Sequence, residues 1–142
     1  MAKNTLTELC ELFISGATIL TFTNLNIDND GALKISRYLD KAEKLTQLGL
    51  DHNQIGDIGI IAISVKLKKH CTDLTHLSLY GNPITDEGFS VLFENLKGSK
   101  IIHLDLRMTK ISKTGLIMLA ELKKSRPVLT YYLSVPSLDV LE

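Results

Sequence analysis

Residues 45–59 read LTQLGLDHNQIGDIG, and the same frame returns as LTHLSLYGNPITDEG at 74–88 and as IIHLDLRMTKISKTG at 101–115. The offsets are 29 and then 27 residues. What repeats is a set of positions. Leu45, Leu48, Leu50, Asn53, Ile55, Asp57 and Gly59 become Leu74, Leu77, Leu79, Asn82, Ile84, Asp86 and Gly88, then Ile101, Leu104, Leu106, Thr109, Ile111, Lys113 and Gly115. A degenerate earlier copy reads Ala17, Leu20, Phe22, Leu25, Ile27, Asn29, Gly31, and a truncated last one starts at Leu129 and Tyr132. Self-similarity at this period specifies a solenoid in which each unit buries its apolar face against its neighbours.

Each position has a physical task. Leu48 and Leu50 alternate with Gln47, Gly49 and Asp51, a period of two that turns the leucines inward and predicts a short parallel strand. Asp28, Gly56, Thr85 and Ser112 stand at one template position and are residue types favoured at a helix N-cap. Apolar helical spacing follows them, as in Ile60, Ile63, Leu67 or Phe89, Leu92, Leu96, so four helices are expected to begin there. The glycine three residues on, at 31, 59, 88 and 115, is expected to let the helix approach the strand layer.

The spacing Leu-x-x-Leu-x-Leu-x-x-Asn-x-Ile followed by x-Asp-x-Gly resembles the leucine-rich repeat family, in its ribonuclease-inhibitor-like subtype, over about residues 17–134. The resemblance implies an α/β fold, a short horseshoe with parallel strands on the concave face and helices on the convex face. Asparagine in this frame hydrogen-bonds the backbone of adjoining turns. The units carrying Leu25 and Thr109 there are therefore expected to hold their loops differently.

Length and composition fit one packed domain, with 142 residues, 16 basic against 16 acidic side chains and 44% hydrophobic residues. We read 1–16 as an N-terminal capping helix, 17–128 as four repeats and 129–142 as the truncated last repeat with a C-terminal cap formed by the tail 135–142. In the first segment Leu6, Leu9, Cys10, Phe13 and Ile14 share one stripe over Thr5 to Ser15, with Thr5 and Glu8 as a capping box. Glu8 and Glu11 argue against a signal peptide, and no apolar run approaches a membrane span. A chain opening on a cap and ending on a truncated repeat reads as closed at both ends, a cytoplasmic monomer when free, with no membrane partner. Cys10 and Cys71 lie about two repeats apart, too far for a disulfide, and read as reduced buried thiols.

The concave surface carries the functional expectation. Aligning the units puts Ile19, Gln47, His76, His103 and Tyr131 in one row, Thr21, Gly49, Ser78, Asp105 and Leu133 in the next, and Thr23, Asp51, Tyr80, Arg107 and Val135 in a third. Strands lie about 4.8 Å apart, so residues in a row are neighbours. Tyr80 is thus expected between Asp51 and Arg107, with Asn24, His52 and Met108 at the turn edge. Tyrosine, arginine and methionine are enriched in protein interfaces. Asp51, His52, His76, Tyr80, His103, Asp105, Arg107, Met108 and Tyr131 are the expected partner-binding residues. Neither a catalytic role nor a metal or cofactor is assigned.

Three function classes compete, the last of them a purely structural repeat segment of a larger assembly, which the expected closure at both ends counts against. The first is a protein-interaction module, for which the family resemblance implies a partner enzyme whose active site is covered and inhibited. Similarity to short repeat proteins among bacterial effectors also opens delivery into a host cell. The second is a metal-dependent enzyme using His76, His103 and Asp105, or a Cys-His enzyme using His70 and Cys71. A flat strand face makes ligands converge poorly, and neighbouring residues rarely present nucleophile and base together. The basic runs Lys66, Lys68, Lys69, His70 and Lys123, Lys124, Arg126 fall at helix C-termini, where they complement the helix dipole. With Asp51 and Asp105 against Arg107 alone, the concave face lacks the basic stripe that nucleic acid requires.

Overall fold

Period-two leucine pairs followed by capped helices give the element order of the computed structural model, which describes residues 3–133; the expected C-terminal cap at 135–142 lies outside them. A helix α1 (Lys3–Phe13) precedes β1 (Ile19–Thr21), α2 (Asn29–Tyr38), a 3-10 turn (Leu39–Lys41), β2 (Gln47–Gly49), α3 (Asp57–His70), β3 (His76–Ser78), α4 (Asp86–Leu96), β4 (His103–Asp105), α5 (Lys113–Ser125) and β5 (Thr130–Tyr132). The strands form one parallel sheet in chain order. Each helix packs on the next along the other layer. The chain is an α/β solenoid.

The core lies between the layers. Leu48, Leu77 and Leu104 are paired across the sheet and buried, and Leu50, Leu79 and Leu106, two positions further on, are buried as well. Leu6 and Cys10 of α1 are also buried, as is Ile14 just after it. That helix starts earlier than expected, which puts Thr5 inside it and not at its cap. Its other end is Phe13, short of Ser15.

Two asparagines each lock one turn to its neighbour. Asn82 is 1% exposed. Its amide donates to Leu50 O of the preceding unit at 2.8 Å and to Leu79 O of its own at 3.0 Å, while its Oδ1 accepts Ile55 N–H at 3.1 Å. Asn53 repeats this, donating to Phe22 O and Leu50 O and accepting from Leu25 and Ile27 N–H. A buried backbone group left unpaired costs about 1–3 kcal/mol, so one amide spanning two units satisfies what would otherwise oppose burial. Where the frame has Thr109, the hydroxyl donates only to Leu106 O of its own unit, at 2.7 Å, and Leu25 packs against the core. Those two loops are held differently, as the substitutions predict.

The second lock runs along the helix starts. Asp28, Gly56, Thr85 and Ser112 are the four N-caps, but only Asp28 and Thr85 accept from their own helices. The last three caps, Thr85 included, are also tied to the preceding helix. Asn29 Oδ1 accepts Gly56 N–H at 2.8 Å, Asp57 Oδ1 accepts Thr85 N–H at 2.8 Å, and Asp86 Oδ1 accepts Ser112 N–H at 2.9 Å. The hydroxyls of Thr85 and Ser112 donate to the other oxygens of the same carboxylates. Each carboxylate also sits in the first turn of its own helix, where the dipole favours negative charge.

This lock gives the recurring glycine a different task from the expected one. A Cβ on Gly88 would collide with Asp57, meeting its Cα at 2.8 Å, and one on Gly59 would meet Ala32 Cβ and Asn29 Oδ1, each at 2.8 Å. The close approach is therefore between successive helix starts, not between helix and strand. Gly88→Leu should lower stability by about 1–3 kcal/mol through overpacking. Gly49→Ala, whose new methyl would find Thr21 at an ordinary 3.5 Å, should be tolerated. Thermal unfolding followed by circular dichroism distinguishes the two, and equal midpoints would contradict the helix-contact assignment.

Candidate functional site

The concave rows are set by the strand register, in which Ile19, Gln47, His76 and His103 pair in sequence, followed by Thr21, Gly49, Ser78 and Asp105 one step along that face. The expected rows hold through four strands. They fail in the fifth, where His103 pairs with Thr130 and Asp105 with Tyr132. Tyr131 pairs with Leu104 and packs against the core, so its expected place on the concave face is corrected. Tyr132, 46% exposed, takes the place expected for Leu133, which packs against the core; Val135 lies outside the described residues. The cause is a single residue missing from the last unit. His103 and Ile102 both donate their N–H to Thr75 O, whereas Thr130 alone fills the equivalent place on Ile102 O. The alternation Leu129, Tyr131, Leu133 carried this signal, and the template frame overrode it.

Arg107 is the centre of the face. Its guanidinium donates through Nε and Nη2 to the two oxygens of Asp105, at 3.0 and 2.6 Å. The same group lies 5.1 Å from the ring centre of Tyr80 and 5.5 Å from that of Tyr132. Hydrogen bonding to Asp105, followed by its charge, raises the Arg107 pKa. Long arginine side chains otherwise lose rotamer freedom on binding, so this pairing with Asp105 orders the group in advance.

Tyr80 also meets His52, edge-on at 4.5 Å between ring centres. Its neighbour on that side is thus His52, while Asp51 instead accepts the Ser78 hydroxyl. His52 and Met108 sit at equivalent turn positions with φ of 54° and 57°, where the intervening unit has Gly81 at 75°. A left-handed residue with a Cβ costs about 1–2 kcal/mol. Asn24 holds the same place in the first unit at 56°, so the left-handed turn belongs to the repeat, and three of the four turns keep a residue with a Cβ there, two of them beside Tyr80 and Arg107. Met108 is 63% exposed.

His76 and His103 stack at 4.5 Å between ring centres. The Thr75 hydroxyl lies 2.8 Å from His76 Nδ1 and donates to Thr46 O at 3.1 Å, so it accepts the Nδ1 proton. Together with Gln47, Ser78, Asp51 and Tyr132 the pair lines a shallow depression of about 280 Å³. No group of three or more His, Cys, Asp or Glu residues is placed to hold a metal among the described residues. His70 Nε2 turns to Asp40 at 3.2 Å, and Cys71 is buried, with its thiol pKa raised to about 11 by desolvation and then by the Asp40 charge. Cys71 is held as a protonated thiol, a poor nucleophile. Among the described residues no helix is long and apolar enough to cross a membrane.

Burial, and then the charge of His103, lowers the His76 pKa from 6.5. Between the folded and unfolded values the unfolded chain binds more protons, so stability rises with pH through that window and falls on acidification. An NMR titration should find His76 below 6.5, and His103→Gln should move it upward. A His76 midpoint unchanged by that substitution would contradict the coupling.

A family model described as Leucine Rich repeat matches residues 41–64, 70–93 and 99–120. Among solved structures, one described as leiomodin-1 actin-binding site 2 is similar with a TM-score of 0.76 and 18% sequence identity, over 98% of this chain and 83% of that one. At that identity the likeness concerns the fold alone. No curated protein matches. The degenerate first unit and the shortened last one fall outside the matched segments, yet both continue the same sheet on either side of them. Three matched repeats inside a five-strand parallel sheet give the chain the fold of a leucine-rich repeat solenoid.

Proposed function

We propose that this protein is a binding module that engages a partner protein through its concave face, with the partner seated on Arg107, Tyr80 and Tyr132. The observation that carries the reading is the arginine held between two tyrosine rings and fixed by Asp105. Aromatic and arginine side chains dominate interface energetics, and ordering them before association reduces the entropy lost on binding. His52 and Met108 extend the anchor to the turns, and His76, His103 and Asp51 extend it along the sheet.

The area argues for that extension. Five strands about 4.8 Å apart and about 15 Å long present about 360 Å² in projection, below the roughly 800 Å² each partner buries in a standard interface. A partner enzyme whose active site this face covers, the form the ribonuclease-inhibitor-like resemblance implies, would meet both the sheet and the turns. The similar solved structure is described as an actin-binding site, which makes actin filaments the first protein to assay.

The experiment is co-sedimentation with actin filaments, alongside affinity capture and identification of retained proteins, followed by binding measurements on variants. Tyr80→Ala and Arg107→Ala should each weaken binding by about thirtyfold, corresponding to about 2 kcal/mol, with the fold intact. Lys68→Ala, on an exposed helix position, should leave it unchanged. The opposite ranking would place the function on the convex face.

A further inference from the structure

The first strand has an open edge, and the backbone shows which groups face it. Phe22 N–H donates to Gly49 O at 2.8 Å and Asn24 N–H to Asp51 O at 2.9 Å, while Thr18 O accepts from Thr46 and Gln47. Even-numbered residues therefore face β2. In a strand, alternate residues point their N–H and C=O to opposite sides. Ile19, Thr21 and Thr23 thus turn theirs outward, where no strand of the described residues pairs with them.

Natural edge strands are guarded by short length, lysine, proline, a bulge or a covering loop, and of these β1 has its length of three residues. This one has none of the side-chain guards. Between Glu11 and Asp28 no residue carries a charge. Beside the edge runs an apolar groove of about 300 Å³ lined by Leu9, Ala17, Leu20 and Phe22 among others. Ile19 is 57% exposed and Leu12, on the adjoining helix, 74% exposed.

We propose that this edge pairs with the same edge of a second copy, antiparallel about a two-fold axis through Thr21. Thr21 would then exchange hydrogen bonds with its counterpart and Ile19 with Thr23 of the other chain, about six bonds in all. An uncharged strand is complementary to itself in this arrangement, since no like charges meet across the axis. An axis perpendicular to the sheet leaves both concave faces on one side and doubles the area presented to a partner. Such a pair departs from the free monomer expected from the sequence.

Sedimentation across a concentration series tests this. The wild type should move from 15.8 kDa toward twice that mass as concentration rises. Thr21 is exposed, so Thr21→Lys and Thr21→Glu should keep the wild-type circular dichroism and thermal midpoint. Each places like charges directly across the axis and should stay monomeric where the wild type is dimeric. An equimolar mixture of the two should restore the dimer. A wild type that remains monomeric at every concentration, variants that dimerise unchanged, or two folded variants that fail to complement each other would overturn the proposal.

Discussion

The fold depends on sharing one polar side chain between two successive units. Asn82 reaches back to Leu50 O and Ile55 N–H while also holding Leu79 O of its own unit. A strand-turn-helix unit alone would bury carbonyls with no partner, at a cost comparable to the whole gain from one leucine. Sharing the amide removes that cost only when the neighbour stands in one register. The helix starts obey the same logic, since a carboxylate at the head of one helix completes the cap of the next. The glycines at 59, 88 and 115 follow from it, because the helix starts must come that close.

That register also composes the concave face. Side chains far apart in the chain become neighbours solely because their strands are in step. The Arg107 anchor draws on β4, on the turn after β3 and on β5, and the imidazole pair on β3 and β4. Face and core are two sides of the same alternation, so a one-residue slip changes both. The last strand shows this directly, where one missing residue sent Tyr131 inward and brought Tyr132 to Arg107.

Much of the fold was legible because period and spacing record burial. The buried leucines, the four N-caps and the strand order all followed from the frame. Bonds between repeats were harder to see. Asn29, Asp57 and Asp86 recur in the sequence, but the groups that donate to them belong to the next unit 26–30 residues on, a relation that periodicity does not express. The glycine's neighbour was misjudged for the same reason. In the candidate site the rows were legible, whereas side-chain choices within them were not: Asp51 turning to Ser78, and His52 in its place beside Tyr80, depend on rotamers and on left-handed turns.

Amide hydrogen exchange at Ile55 in the wild type and in Asn82→Ala tests the shared-amide lock most directly. Ile55 belongs to the unit before Asn82, and its N–H is held by Asn82 Oδ1, whereas Leu79 N–H is held by Asp105 O in the sheet. The account predicts that Ile55 loses protection relative to Leu79 when the asparagine is truncated, although the substituted residue lies 27 positions away. An unchanged ratio of the two protection factors would contradict it.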